Sequence, residues 1–324
     1  MKFQIDLNDL LKGKSMFMGL AMLWIIAFHY GFLVDSPVNF IIARGYLGVD
    51  IFIFLSSFSL CTSLKREPHY MPFIKRRLSR IIPMWWLLIT FLLIVNILIG
   101  RNYPQNILQF ICYYSGLGWW FFHNEPFGTY YYEWYIPTLL LFYLLVPLLY
   151  RMNKKNIIYL FVTSIVCIFI LQYFKIEERL VNLSIVRIPM LIYGVILFKI
   201  YNKEFNEHIS HRYLTISSVI GLVVFLLSLG GVINFVLFGF IFAVPLVLTF
   251  CALIFRGLCN RVFSFIGAIT LELYLLHIYD FPLIQVQKVI GNKSIAIIFT
   301  TVTLIGVAYL LQYVMRLILN KVKL

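Results

Sequence analysis

The chain reads as a series of long apolar runs joined by short polar segments. Ten stretches are predominantly apolar over about 20 residues, the length an α-helix needs to cross the hydrocarbon core of a bilayer. They are residues 15–34, 46–63, 81–100, 132–150, 156–173, 183–201, 212–230, 232–254, 263–282 and 294–318. The pattern predicts an all-α integral membrane protein with about ten transmembrane helices. The aromatic stretch 105–131 interrupts it and predicts either an interfacial or a re-entrant segment on one face. Asp6 and Asp9 precede the first apolar run and no small-residue cleavage site follows it, so that run reads as an uncleaved first span. With no internal repeat and no low-complexity linker, residues 1–324 are expected to form a single polytopic membrane domain.

Composition excludes a water-facing fold. The chain is 62% hydrophobic, 18% aromatic and only 12% charged, against roughly 25% charged residues in soluble domains. A net charge of +14 would suggest nucleic acid in a soluble protein. Here the basic residues sit in short joints beside apolar runs, so they report membrane orientation and no nucleic-acid partner is expected. With both ends in the cytoplasm, the cytoplasmic segments hold 20 of the 27 basic residues, the outer segments six, and Arg187 falls within a span. Adding or removing one span would scramble that alternation. Cys61, Cys112, Cys167, Cys251 and Cys259 are odd in number and scattered, so neither a disulfide framework nor a metal site is expected.

Ionisable groups inside spans are costly and usually face a cavity or a partner. They are His29, Asp50, Glu133, Arg187, Glu272 and His277. The predicted span directions place Glu272 near mid-membrane and the other five in the outer half, which points to one polar site. Each also has a plainer reading. His29 is equally a core histidine bonded to a carbonyl, Asp50 and Arg187 a structural ion pair, and Glu133 a group in wet headgroups. His277, three residues after Tyr274, is placed for a local hydrogen bond.

Two further clusters stand out. Lys75, Arg76, Arg77 and Arg80 precede Pro83, and Arg76 and Arg80 share a face if the segment is helical. They suit a phosphate-bearing ligand, although topology signals and anionic lipid account for basic residues at that place as well. The outer segment around Trp119, Trp120, His123 and Glu125 is rich in the aromatic residues of membrane interfaces, and such platforms also hold sugar rings.

These motifs resemble the membrane-bound acyltransferase-3 family, whose members acylate cell-surface glycans and similar acceptors. The likeness runs along essentially the whole chain, through GLAMLWIIAFH (19–29), GYLGVDIFIFLSSFSL (45–60), FIKRRLSRIIP (73–83), WYIPTLLLFYLLVP (134–147), RIPMLIYG (187–194) and LELYLLH (271–277). Departures are specific. Met18 stands where the family usually has an arginine eleven residues before the histidine, and Lys14 lies nearly on the same face, one turn earlier. Ser56-Ser57 replaces a Ser-Gly pair, and Leu139 and Leu140 stand where many members carry acidic residues.

The resemblance implies transfer of an acyl group, acetyl above all, from cytoplasmic acyl-CoA to a hydroxyl of an extracytoplasmic or lipid-linked glycan. The setting it implies is a multi-pass protein of a bacterial plasma membrane. His29 is the implied general base or transient acyl carrier, accompanied by Asp50. Arg76, Arg77 and Arg80, with Lys14, are the implied acetyl-CoA residues, and Arg187, Glu133, Tyr274 and His277 the implied support. From Lys14 to His29 is about 22 Å of helix, much of which a long donor arm covers. Three other readings stay open. A transporter or flippase would show inverted repeats or helices broken at midplane, a polysaccharide polymerase a large polar outer loop, and a non-catalytic relative would bind acyl-CoA without turnover.

Overall fold

The computed structural model describes residues 11–30, 38–98, 100, 104–122, 134–174, 182–202, 211–229, 243–249, 260–277 and 281–322. Helices dominate them, and no strand occurs among the described residues. The principal helices are α1 (Lys14–Tyr30), α2 (Gly48–Arg66), α3 (Tyr70–Leu98), α4 (Ile107–Tyr114), α5 (Tyr135–Arg151), α6 (Lys154–Tyr173), α7 (Ile188–Tyr201), α8 (His211–Leu229), α9 (Asn260–Ala268), α10 (Thr270–His277), α11 (Phe281–Ile290) and α12 (Lys293–Val322). Four helical stretches, Gly45–Arg66, Tyr70–Leu98, Lys154–Leu171 and Lys293–Leu319, are long and apolar enough to cross a bilayer. Shorter apolar helices include Lys14–Tyr30, Tyr135–Arg151 and Ile188–Tyr201. Large apolar side chains such as Phe91, Ile94, Val162, Phe169, Val302 and Leu310 are exposed along α3, α6 and α12. Such surfaces need lipid as their solvent. The chain is an all-α membrane protein.

It divides into two compact units. The first holds Met1–Glu67, Leu145–Ile176 and Ile185–Ala268, and the second Pro68–Leu144, Glu177–Ser184 and Ile269–Leu324. In the first, α1 packs against α9 and α2, and α7 against α2 and α6. At the α1–α9 crossing, Gly19 lies on the Phe263 carbonyl and Gly267 on the Ser15 carbonyl. Lipid offers helices no hydrophobic reason to associate, so small residues that let backbones meet carry the packing. Gly194 of α7 does the same for α2, because a Cβ there would collide with the Ser57 hydroxyl. That hydroxyl donates to the Phe54 carbonyl at 2.6 Å. The glycine opposite therefore makes room for Ser57, where the family pattern has glycine.

In the second unit α10 packs against α12 and α3, and α11 against α12. α3 runs unbroken through Pro83, which deprives the Ser79 carbonyl of its helical donor, a loss that membrane helices tolerate. The basic segment is thus the first part of α3 itself. The aromatic stretch resolves in its described part, residues 104–122, into a helical hairpin. Asn106 caps α4 by accepting from the Gln109 amide, and Gly116 turns the chain with φ 80°. Two carbonyls at the end of α4 accept from indoles of α3, that of Tyr113 in addition to the Gly116 amide. Trp85 Nε1 donates to the Tyr113 carbonyl at 2.8 Å and Trp86 Nε1 to the Tyr114 carbonyl at 2.9 Å. Trp85 lies 13 residues before the end of α3 at Leu98, about 20 Å down the helix. The tip of the hairpin therefore lies beside the middle of α3.

Two other expectations change. The span expected over 263–282 is divided between α9 and α10 by a turn at Ile269. It follows Gly267, a weak helix former held against α1. The outer segment after it contains α11, closed by Gly291 with φ 73°. Most of the expected span 232–254 lies outside the described residues.

Candidate functional site

The first unit holds four of the residues singled out in the sequence, Lys14, His29, Asp50 and Arg187. His29 is the penultimate residue of α1, exposed, with its ring edge-on to Phe28 at 5.1 Å. Asp50 sits in the first turn of α2, where the positive end of the helix dipole favours a carboxylate. Arg187 is the N-cap residue of α7. Arg187 Nη1 donates to Asp50 Oδ2 at 2.5 Å, and the two side chains are 4% and 1% exposed. The pair joins the starts of α2 and α7. The bond leaves donor and acceptor capacity unused, because Asp50 Oδ1 and Arg187 Nε are buried with no hydrogen-bond partner among the described residues.

Helix register separates this pair from His29. Gly45 lies beside Trp24 and Phe28, and Gly48 beside Ala21 and Ile25. α2 thus descends alongside α1, and Asp50 falls near the level of Ala21. That is about two turns, or ~11 Å, from His29 along α1. The Asp50 carboxylate accepts from Arg187. Lys14 is also accounted for, because its Nζ donates to Ser59 Oγ of α2. The same register puts Ser59 near the level of Lys14, so the amine stays at its own end of α1 and does not rise past Met18.

The second unit holds the basic segment. Arg77 is half-buried, with its guanidinium over the Phe73 ring at 5.5 Å. Its Nε is buried with no acceptor among the described residues. The charges of Arg77 and Arg80 act on Tyr143 of α5, which is buried. Arg80 also acts on Glu272 of α10, as does Arg316 of α12. Glu272 is 8% exposed and accepts from Gln312 Nε2 at 3.4 Å. Arg76 and Lys75 are exposed. Arg77, unlike exposed Arg76 and Arg80, is thus partly turned to protein groups, which a pure topology signal does not require. An inward guanidinium with an idle N–H is a donor prepared for an anion.

Further along α10, His277 is fully buried and its Nδ1–H donates to the Tyr274 carbonyl at 2.6 Å. That bond leaves Nε2 as the ring's acceptor nitrogen. The Tyr274 ring lies tilted against Tyr135 at 4.9 Å and against His277 at 5.0 Å. The hairpin side of this unit carries a hydroxyl pair, Thr138 Oγ1 and Ser184 Oγ at 2.6 Å, with Trp120 Nε1 donating to Ser184 at 3.3 Å. Glu133, His123 and Glu125 lie outside the described residues.

The sequence missed several members of these clusters. Arg316 looked like one more cytoplasmic charge, and Tyr143 was one aromatic among many in its span. The spacing of Gln312 and Arg316, four apart on one helix, was the available signal, since it puts both on one face. Thr138 and Ser184 are joined only by the fold.

No curated protein and no solved structure matches the chain. A family model described as an acyltransferase domain matches residues 18–313, from within α1 to near the end of α12. That match takes in these residues except Lys14 and Arg316, which lie just outside it, and the chain belongs to the acyltransferase-3 family of membrane acyltransferases.

Proposed function

We propose that the protein transfers an acetyl group from cytoplasmic acetyl-CoA to a hydroxyl of an extracytoplasmic or lipid-linked glycan, as a multi-pass protein of a bacterial plasma membrane. The observation that carries the donor side is the buried, acceptor-free Nε–H of Arg77 beside Arg80, facing Tyr143 within the second unit. A donor phosphate would satisfy it, with Arg76 at the exposed edge. Phosphates do not enter hydrocarbon, so the nucleotide end stays at the basic end of α3 while the thin acyl arm enters the protein.

His29 supplies the transfer chemistry. Its exposed imidazole takes the proton of the acceptor hydroxyl as the oxygen attacks the thioester carbonyl, and returns that proton to the departing CoA thiolate. In the alternative course the imidazole itself attacks the thioester, releases CoA and passes the acetyl group to the hydroxyl. Both consume one acetyl-CoA and one hydroxyl and release CoA and an ester. Asp50 contributes through Arg187, by fixing the start of α2 against α7. Lys14 holds α1 to α2 through Ser59, and Tyr274 and His277 line α10 as support.

A second reading rests on Met18, which leaves His29 without the family's usual arginine. On that reading the chain binds acyl-CoA without turning it over. Release of CoA from acetyl-CoA by the reconstituted protein, with label appearing on lipid-linked glycan, separates the two. Binding without release supports the second.

A further inference from the structure

The last turn of α1 is held by the segment that leads into α2. Trp24 and Phe28 are four residues apart, so both project from one face of α1. The short helix Val38–Ile42 and the turn Gly45–Leu47 meet that face. Trp24 Nε1 donates to the Ile41 carbonyl at 2.7 Å. Gly45 fits against the Trp24 carbonyl and Phe28 Cβ, where a Cβ of its own would collide with both. The Tyr46 ring meets Phe28 edge-on at 5.6 Å. Tyr46 and Trp24 in turn pack on a core of Leu47, Phe225 and Leu246. Phe28 is therefore tied to the interior of the first unit.

His29 follows Phe28 by one residue, about 100° around the helix. It is exposed, and its ring keeps an edge contact with Phe28 at 5.1 Å and 71° between planes. The Tyr46–Phe28 contact has nearly the same angle, 72°. Three rings thus run from the core to the imidazole. An edge contact between aromatic rings favours one side-chain orientation by about two- to tenfold. An exposed histidine near a helix end has several staggered rotamers available. Proton transfer or attack on a thioester uses only those that aim a ring nitrogen at the reacting atom.

We propose that Phe28 is a positioning residue for His29: its ring, held by Tyr46 against the core of the first unit, sets the orientation of the imidazole. The inference rests on the role given to His29 above. It places the effect of Phe28 on the chemical step and leaves donor binding to other residues.

The test measures kcat and KM for acetyl transfer from acetyl-CoA, with thermal stability, for the full-length protein in nanodiscs. Wild type, His29→Ala, Phe28→Leu, Phe28→Tyr, Tyr46→Leu and the double variant Phe28→Leu with Tyr46→Leu are compared. Phe28→Leu keeps the apolar bulk and removes the ring, so kcat is expected to fall by about three- to tenfold, with KM and melting temperature near those of wild type. Phe28→Tyr retains the ring and should restore kcat to within about twofold of wild type. Tyr46→Leu should lower kcat in the same direction, and should lower it no further once Phe28 is leucine. An unchanged kcat in Phe28→Leu, a loss confined to KM, an equal loss in Phe28→Tyr, or additive losses in the double variant overturns the inference. If wild type transfers nothing, or His29→Ala transfers as fast as wild type, the role of His29 itself fails and the inference with it. Should Phe28→Leu not fold, Phe28→Met, which also lacks a ring, must show the same split between kcat and KM.

Discussion

The Asp50–Arg187 pair makes the sharpest stability prediction. Its atoms are 2.5 Å apart and the side chains 1% and 4% exposed. Two unit charges ~4 Å apart attract by about 4 kcal/mol at an effective dielectric constant of ~20. Desolvation of both ions offsets much of that, so the pair's net worth is small, while stranding either partner costs ~3–5 kcal/mol. Asp50→Ala and Arg187→Ala should therefore each destabilise the protein by about that amount. The double variant should lose far less than the sum, because no charge is left unpaired. Unfolding free energies of all four forms in one bilayer mimic give the coupling directly, and ~3 kcal/mol of non-additivity is expected. Single variants within 1 kcal/mol of wild type, or additive losses, would refute a buried pair pinning α2 to α7. Asp50→Asn, which keeps an acceptor for Arg187, should fall between wild type and Asp50→Ala.

Three other outcomes follow from the geometry. Arg77→Gln should raise KM for acetyl-CoA by about ten- to a hundredfold, the loss of one charge-assisted bond of ~1.5–3 kcal/mol, with thermal stability nearly unchanged. Gly194→Leu should destabilise by at least ~1–3 kcal/mol through overpacking against Ser57, and Ser57→Gly in the same chain should recover part of it on a thermal melt. Trp85→Phe leaves the Tyr113 carbonyl without its indole donor. The carbonyl keeps the Gly116 amide, so the loss should cost about 0.5–1.5 kcal/mol and increase labelling of Ser115→Cys at the hairpin tip by water-soluble thiol reagents.

Much of the fold was legible because lipid imposes so direct a rule. The run 156–173 became α6, Lys154–Tyr173, and 294–318 became the heart of α12, Lys293–Val322. Where the reading stopped short, the deciding interaction was tertiary. Tryptophan signals an interface whether its indole meets water or the end of another helix, so the role of Trp85 and Trp86 had no sequence mark. The turn at Ile269 and the helix Phe281–Ile290 lie in apolar segments where hydropathy does not register a change of direction. The pairing of Asp50 with Arg187 spans 137 positions; residue types suggested an ion pair, and only helix packing could establish it. Glu272 was visible as a buried charge, but its hydrogen bond comes from Gln312 of another helix.

The central claim is acetyl transfer through His29. The direct measurement reconstitutes the chain with labelled acetyl-CoA on the cytoplasmic face and lipid-linked glycan present, and follows CoA release and label on the glycan for wild type and His29→Ala. The account predicts transfer by wild type and loss of at least 100-fold in His29→Ala, in line with the ~10²–10⁴-fold that general acid–base catalysis contributes, while acetyl-CoA binding is retained. Equal transfer by the two proteins would contradict it, as would wild type that binds acetyl-CoA and releases no CoA while another family member run alongside does.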